Sequence, residues 1–103
     1  MSLVKACDAD ALKPGEMMAV EAEGLPPIAL YNIGGEFLAT DNVCTHAVAM
    51  LTDGYIDGDQ IECPMHGGMF DIRTGAATHF PCVEPLRTWP VEVRDGGVFI
   101  VAA

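Results

Sequence analysis

The chain has 103 residues, of which half are apolar and 19% charged. That is the size of one domain, and it excludes a large oxygenase or a dehydrogenase with its own nucleotide-binding domain. Five Lys and Arg against fifteen Asp and Glu give a net charge of −10. Such a surface repels phosphate backbones and anionic lipid, so neither nucleic acid nor membrane is expected as a partner.

The turn residues punctuate the chain as an all-β protein. Asp8 to Leu12 can form one helical turn with Asp8 as its N-cap. Lys13-Pro14-Gly15-Glu16 and Gly24-Leu25-Pro26-Pro27 read as turns. Ile28 to Ile33 and Glu36 to Thr40 flank Gly34-Gly35, which predicts a hairpin. Tyr55-Ile56 and Gln60-Ile61 flank Asp57-Gly58, which predicts another. Met69 to Ile72 runs into the turn Arg73-Thr74-Gly75. A last hairpin pairs Thr88 to Val93 with Val98 to Val101 across Asp95-Gly96-Gly97. Many short strands at regular spacing predict a small sandwich or a partly open barrel.

No apolar run approaches the ~20 residues that a spanning helix needs. The first residues lack the charged-then-apolar pattern of a secretory leader, so a cytoplasmic location is expected. In a reducing compartment Cys7, Cys44, Cys63 and Cys82 are expected as thiols or metal ligands, not disulfides.

The stretch from about Thr40 to Pro85 holds all three His, three of the four Cys and many Gly and Pro. It reads as functional loops set on a β scaffold. Two motifs lie within it. Cys44-Thr45-His46 is separated by sixteen residues from Cys63-Pro64-Met65-His66. Thiolate and imidazole are ligands for zinc, copper or iron–sulfur centres. Two Cys and two His also make the four ligands of a structural zinc site, so a zinc-stapled binding module is an alternative. Residues i and i+2 of an extended loop lie about 6.6 Å apart and point the same way. That is awkward for one ion and comfortable for two neighbouring irons, each loop giving a Cys to one and a His to the other.

The two motifs together resemble the signature of Rieske proteins, in which two His replace two Cys on one iron of a [2Fe-2S] cluster. Asn42-Val43 before the first motif, Gly67-Gly68 after the second, then Phe70-Asp71 and Thr74-Gly75, extend the likeness. The resemblance spans nearly the whole chain. It implies a Rieske fold: one domain over 1–103, with a base of antiparallel strands and an inserted two-loop cluster-binding subdomain at about 42–83. It implies that Cys44 and Cys63 hold the buried iron through sulfur and that His46 and His66 hold the outer iron through ring nitrogens.

Departures within the motifs place the chain in one branch. High-potential relatives carry an extra Cys in each loop, joined as a disulfide; Ala49 and Met65 stand at those positions. Those relatives also aim a Ser and a Tyr hydroxyl at cluster sulfurs, where this chain has Gly68 and Phe70. Donors to sulfur stabilise the more negative reduced state. Their absence implies a potential near the low end of the Rieske range, about −150 mV. Backbone N–H groups around Gly67 and Gly68 are expected to offset part of this. The chain thus resembles the soluble Rieske ferredoxins of bacterial aromatic ring-hydroxylating dioxygenase systems. That implies a monomeric electron carrier, not an enzyme, between an NADH-dependent flavin reductase and a terminal Rieske oxygenase. A small subunit of a nitrite-reductase-like enzyme is the alternative within the same fold.

Pro81, Pro85 and Pro90 suit a third loop that covers the cluster, as in the family. Cys82 in that loop and Cys7 in the first strand read as small buried hydrophobes. His79 lies outside the motifs and reads as a partly exposed residue. Trp89, Tyr31 and Tyr55 read as core. Asp53, Asp57 and Asp59 form an acidic run that reads as a solvated turn, with a charged rim beside the first cluster loop as its alternative role.

Overall fold

A computed structural model describes residues 2–46, 48–65 and 67–102. Among these the chain forms eleven strands in three antiparallel sheets. The first sheet holds β1 (Ser2–Asp8), β11 (Gly97–Ala102) and β10 (Val91–Arg94), in that order. The second runs β2 (Met17–Val20), β3 (Ile28–Ile33), β4 (Glu36–Asp41) and β9 (Thr88–Trp89). The third is a meander of β5 (Tyr55–Asp57), β6 (Gln60–Glu62), β7 (Met69–Asp71) and β8 (Ala77–His79).

Strand β3 explains how these layers combine. It is a nearly unbroken apolar run, and its first five residues are buried. A strand with both faces covered reads this way. Its side chains alternate in direction. Ile28 and Leu30 join one core with Val20, Ala39, Trp89, Val98 and Ile100. Ala29 and Tyr31 join the other, with Leu51, Ile61, Phe70, Ile72 and Leu86. The second sheet is therefore a shared wall between the strands of the first sheet and the loop-rich third.

The predicted hairpins form, with small shifts. Gly34-Gly35 joins β3 to β4 in register, Ile33 opposite Glu36. The next turn lies at Gly58-Asp59, not Asp57-Gly58, because Asp57 pairs with Gln60 and Gly58 takes the left-handed conformation at φ +62°. The Gly24 turn starts earlier than predicted, with Leu25 N–H donating to Ala22 C=O at 3.1 Å. Pro90 splits the predicted strand 88–93 into β9 and β10, since proline brings no N–H to a ladder. The helical turn after β1 is a short 3-10 turn, Ala9–Ala11, and Asp8 does not cap it with its side chain. The Asp8 carboxylate instead pairs with Lys5 Nζ at 2.8 Å.

Tyr31 and Trp89 are core residues as the sequence predicts, but Tyr55 is 63% exposed. It sits on the outer face of β5, whose neighbour Ile56 is the half-buried one. Cys7 is half-buried where full burial was expected. Tyr31 hydroxyl and Thr40 Oγ1 are 2.8 Å apart inside the core. Burial pushes the Tyr31 phenol up to about 12, only partly opposed by the Thr40 hydrogen bond.

This burial gives a pH signature. The unfolded phenol loses its proton near pH 10 and the folded one near 12. Between them the unfolded chain binds fewer protons, so stability falls as pH rises. Two units correspond to about 2–3 kcal/mol. Denaturant melts from pH 9 to 12 are expected to show this decline, and Tyr31→Phe is expected to flatten it.

Candidate functional site

Three loops meet at the far end of the third sheet. The first runs from Asn42 to Thr52 and is braced at its stem by Asn42, which is buried. Asn42 Nδ2 donates to Thr52 Oγ1 at 3.0 Å, and Thr52 N–H returns a bond to Asn42 Oδ1 at 2.9 Å. Leu51 N–H donates to the Asn42 carbonyl at 2.7 Å. Above this stem Val43 bridges to Met50, and Cys44 N–H donates to Ala49 C=O at 2.9 Å. Cys44 is buried at this point of the loop, and His46 is exposed.

The second loop joins β6 to β7. Cys63 N–H donates to Gly68 C=O at 2.8 Å, closing a turn like that of the first loop. Gly67 adopts φ +73° there, where only glycine sits without strain. Cys63 is fully buried. Burial pushes its thiol up, the backbone N–H of Met65 pulls it back down, and the neighbouring Cys44 adds to the rise. His66 lies outside the described residues.

The third loop runs from Phe80 to Arg87 and is pinned to the other two. Thr45 Oγ1 donates to Glu84 C=O at 2.8 Å. Cys82 Sγ lies 4.0 Å from Cys44 Sγ. Leu86 N–H donates to Gly75 C=O at 2.7 Å. Glycine is required twice under this loop. A Cβ at Gly68 would collide with Cys82 Sγ, and one at Gly75 with the Leu86 carbonyl. Cys82 is buried. Burial, with Cys44 and then Cys63 beside it, pushes its thiol up to about 12.

Of the sequence-predicted residues the structure brings Cys44 and Cys63 together, and no group of three or more His, Cys, Asp or Glu among the described residues is set to hold a metal ion. Cys44 and Cys63 share one core with Cys82, and His46 stands on the solvent side of the same loop as Cys44. Ala49 and Met65 offer no sulfur pair to bridge, and Phe70 is buried without a hydroxyl. His79 is exposed on β8. The acidic run Asp53, Asp57 and Asp59 is exposed, and Arg73 Nε approaches Asp59 at 3.4 Å while its Nη1 meets Glu36 at 2.6 Å. Asn42 and Thr45 went unread in the sequence as braces, because their partners lie 10 and 39 residues away.

The Rieske [2Fe-2S] domain model matches residues 2–90. The chain belongs to the Rieske [2Fe-2S] family. This Rieske chain is 46% identical over 99 residues to the ferredoxin component of the p-cumate 2,3-dioxygenase system of Pseudomonas putida, covering 95% of this chain and 84% of that one. Its fold is similar to a ferredoxin of Sphingomonas yanoikuyae B1, with a TM-score of 0.94 and 52% identity, covering 99% of this chain and 100% of the other. It is also similar to a chain in the complex of reduced oxygenase and oxidized ferredoxin in carbazole 1,9a-dioxygenase, at TM-score 0.92 and 43% identity, covering 95% and 91%.

The Rieske domain implies a [2Fe-2S] cluster of Rieske type. The donor chemistry here fits it. The soft sulfurs of Cys44 and Cys63 are buried in one core with Ile61, Phe70 and Ile72, while the borderline imidazole of His46 is exposed on the same loop as Cys44. No helix of the described residues is long and apolar enough to cross a membrane.

The packing of Gly68 yields a test. Gly68→Ala is expected to destabilise the protein by about 1–3 kcal/mol through overpacking, a loss of roughly 4–20 °C in Tm. Cys82→Ala in the same chain is expected to recover most of it, because it removes the colliding sulfur. Thermal melts of the single and double variants check this.

Proposed function

We propose that this chain is a ferredoxin that shuttles single electrons from an NADH-dependent flavin reductase to the terminal oxygenase of an aromatic ring-hydroxylating dioxygenase system. It acts there as a carrier and not as an enzyme. The observation that carries the reading is the loop tip, where two buried thiols lie behind an exposed histidine. The similar ferredoxin components of dioxygenase systems support it.

In this reading Cys44 and Cys63 hold one iron through sulfur, and His46 and His66 hold the other through ring nitrogen. The domain is the single unit 1–103, with its cluster-binding part at about 42–83. The cluster supplies a one-electron couple. The chain's own residues do the rest. Leu51, Ile61 and Phe70, all fully buried, keep water from the sulfurs. The hydrogen bonds of Asn42, Thr45 and Leu86 hold the three loops in one geometry, which limits rearrangement when the charge changes. His46 presents the solvent-facing edge to a partner.

The same loops carry exposed apolar side chains: Val48 at 99%, Met65 at 43%, Phe80 at 85% and Val83 at 69%. Such side chains on the loops around a redox centre suit a small, short-lived contact with the oxygenase. Transient electron-transfer interfaces bury less than about 1,200 Å². Glu84 stands exposed on the third loop and Asp53 just past the end of the first, and both suit electrostatic steering toward a basic patch. The protein works as a monomer in the cytoplasm.

Direct voltammetry of the purified protein tests the assignment. A reversible one-electron wave near about −150 mV is expected. A wave far above zero overturns the low-potential reading, and a colourless protein with one zinc per chain overturns the carrier. Cys44→Ser and Cys63→Ser are expected to lose the cluster absorption, and His46→Cys or His66→Cys to lower the potential or lose the cluster.

Docking has its own test. Val48→Ser with Phe80→Ser is expected to slow electron delivery to the oxygenase on the order of tenfold, with the potential unchanged. Added salt is expected to slow delivery as well. Stable co-purification with a large reductase subunit would assign the chain to a nitrite-reductase-like enzyme instead.

A further inference from the structure

Cys82 is the one buried thiol that the ligand assignment leaves without a task, and its surroundings give it one. Its sulfur lies 4.0 Å from the sulfur of Cys44, within the long reach of a sulfur hydrogen bond. It is held there from several sides. Cys82 N–H donates to His79 C=O at 3.1 Å, fixing the start of the loop. The Thr45 bond to Glu84 fixes the loop two residues on, and the Leu86 bond to Gly75 fixes its end. The sulfur occupies the volume that any side chain at position 68 would need.

That last contact links two observations. Position 68 is where the high-potential branch of the family carries a hydroxyl donor. Here position 68 is glycine, and the thiol of Cys82 lies where its side chain would be. We infer that Cys82 is the replacement donor: its S–H is directed at the sulfur of Cys44 and sets the reduction potential of the site. Thiol is a weaker donor than hydroxyl. It therefore raises the potential less than a serine at position 68 would, while Gly68 and Cys82 act as one exchangeable unit. This role rests on the reading of Cys44 as a sulfur ligand. Cys82 acts through Cys44 and is a positioning and tuning residue, not a ligand.

The test uses the cluster-loaded full chain and reads its midpoint potential. Cys82→Ala removes the donor and is expected to lower the equilibrium constant for reduction roughly three- to tenfold, where tenfold is about 59 mV for one electron. Cys82→Ser keeps a donor and is expected to lie closer to wild type than Cys82→Ala does. An unchanged potential in Cys82→Ala, or equal losses in both variants, overturns the inference and leaves Cys82 as packing. Should neither variant load, the infrared S–H stretch of a loaded Cys7→Ala chain decides, since Cys82 is then the one thiol outside the ligand set. A band lowered from that of a free thiol is expected, and an unshifted band overturns the inference. Failure of the underlying ligand reading is seen separately, as a Cys44→Ser variant that keeps its cluster absorption.

Discussion

The structure depends on a strand that faces two cores at once. Ile28 and Leu30 look one way and Ala29 and Tyr31 the other, and all four are buried to 1% exposure or less. Burying both faces of β3 ties the strand framework to the cores beneath the loops. A small domain buries a smaller share of its surface than a large one, so a shared wall is an economical use of apolar side chains. The thiols inherit rigidity from it, since Cys44, Cys63 and Cys82 belong to the same core as Ala29 and Tyr31.

Rigidity of the loops has a second source in hydrogen bonds between distant segments. Asn42 closes the first loop at its stem, and Thr45 fastens that loop to the third. Each turn also satisfies its own backbone, Cys44 with Ala49 and Cys63 with Gly68. Electron transfer favours a site that moves little between oxidised and reduced states. Loops fixed by packing and by cross-links meet that demand without a long helix or a disulfide.

Much of this was legible in the sequence because the signals are local. Gly34-Gly35 between two apolar runs sets a hairpin, and the Cys and His spacing marks the loops. The slips have physical causes. The Gly58 turn moved by one residue because the pairing of Asp57 with Gln60 decides the register. Asp8 has the right type for a cap, but Lys5 takes its carboxylate. Tyr55 is aromatic and on a strand, yet a strand at the margin of a meander shows one face to water. The roles of Asn42, Thr45 and Cys82 were not legible, because each depends on contacts between segments that only the folded chain brings together. Nor does the sequence tell which apolar side chains the fold leaves outside, Phe80 and Val48 among them.

Bare apolar side chains around a working site carry a hazard of their own, since two copies of the chain could adhere tip to tip. The acidic surface answers it. A molecule carrying a net charge of −10 repels its own copies at neutral pH, whereas a partner with a basic patch is drawn in. In the proposed docking the same carboxylates act on self-association and on the approach to a partner. The restraint ends where those carboxylates are neutralised, and near the isoelectric point of about 4.3 the tips are free to stick. Colloidal behaviour, not catalysis or folding, is then what the lopsided composition protects.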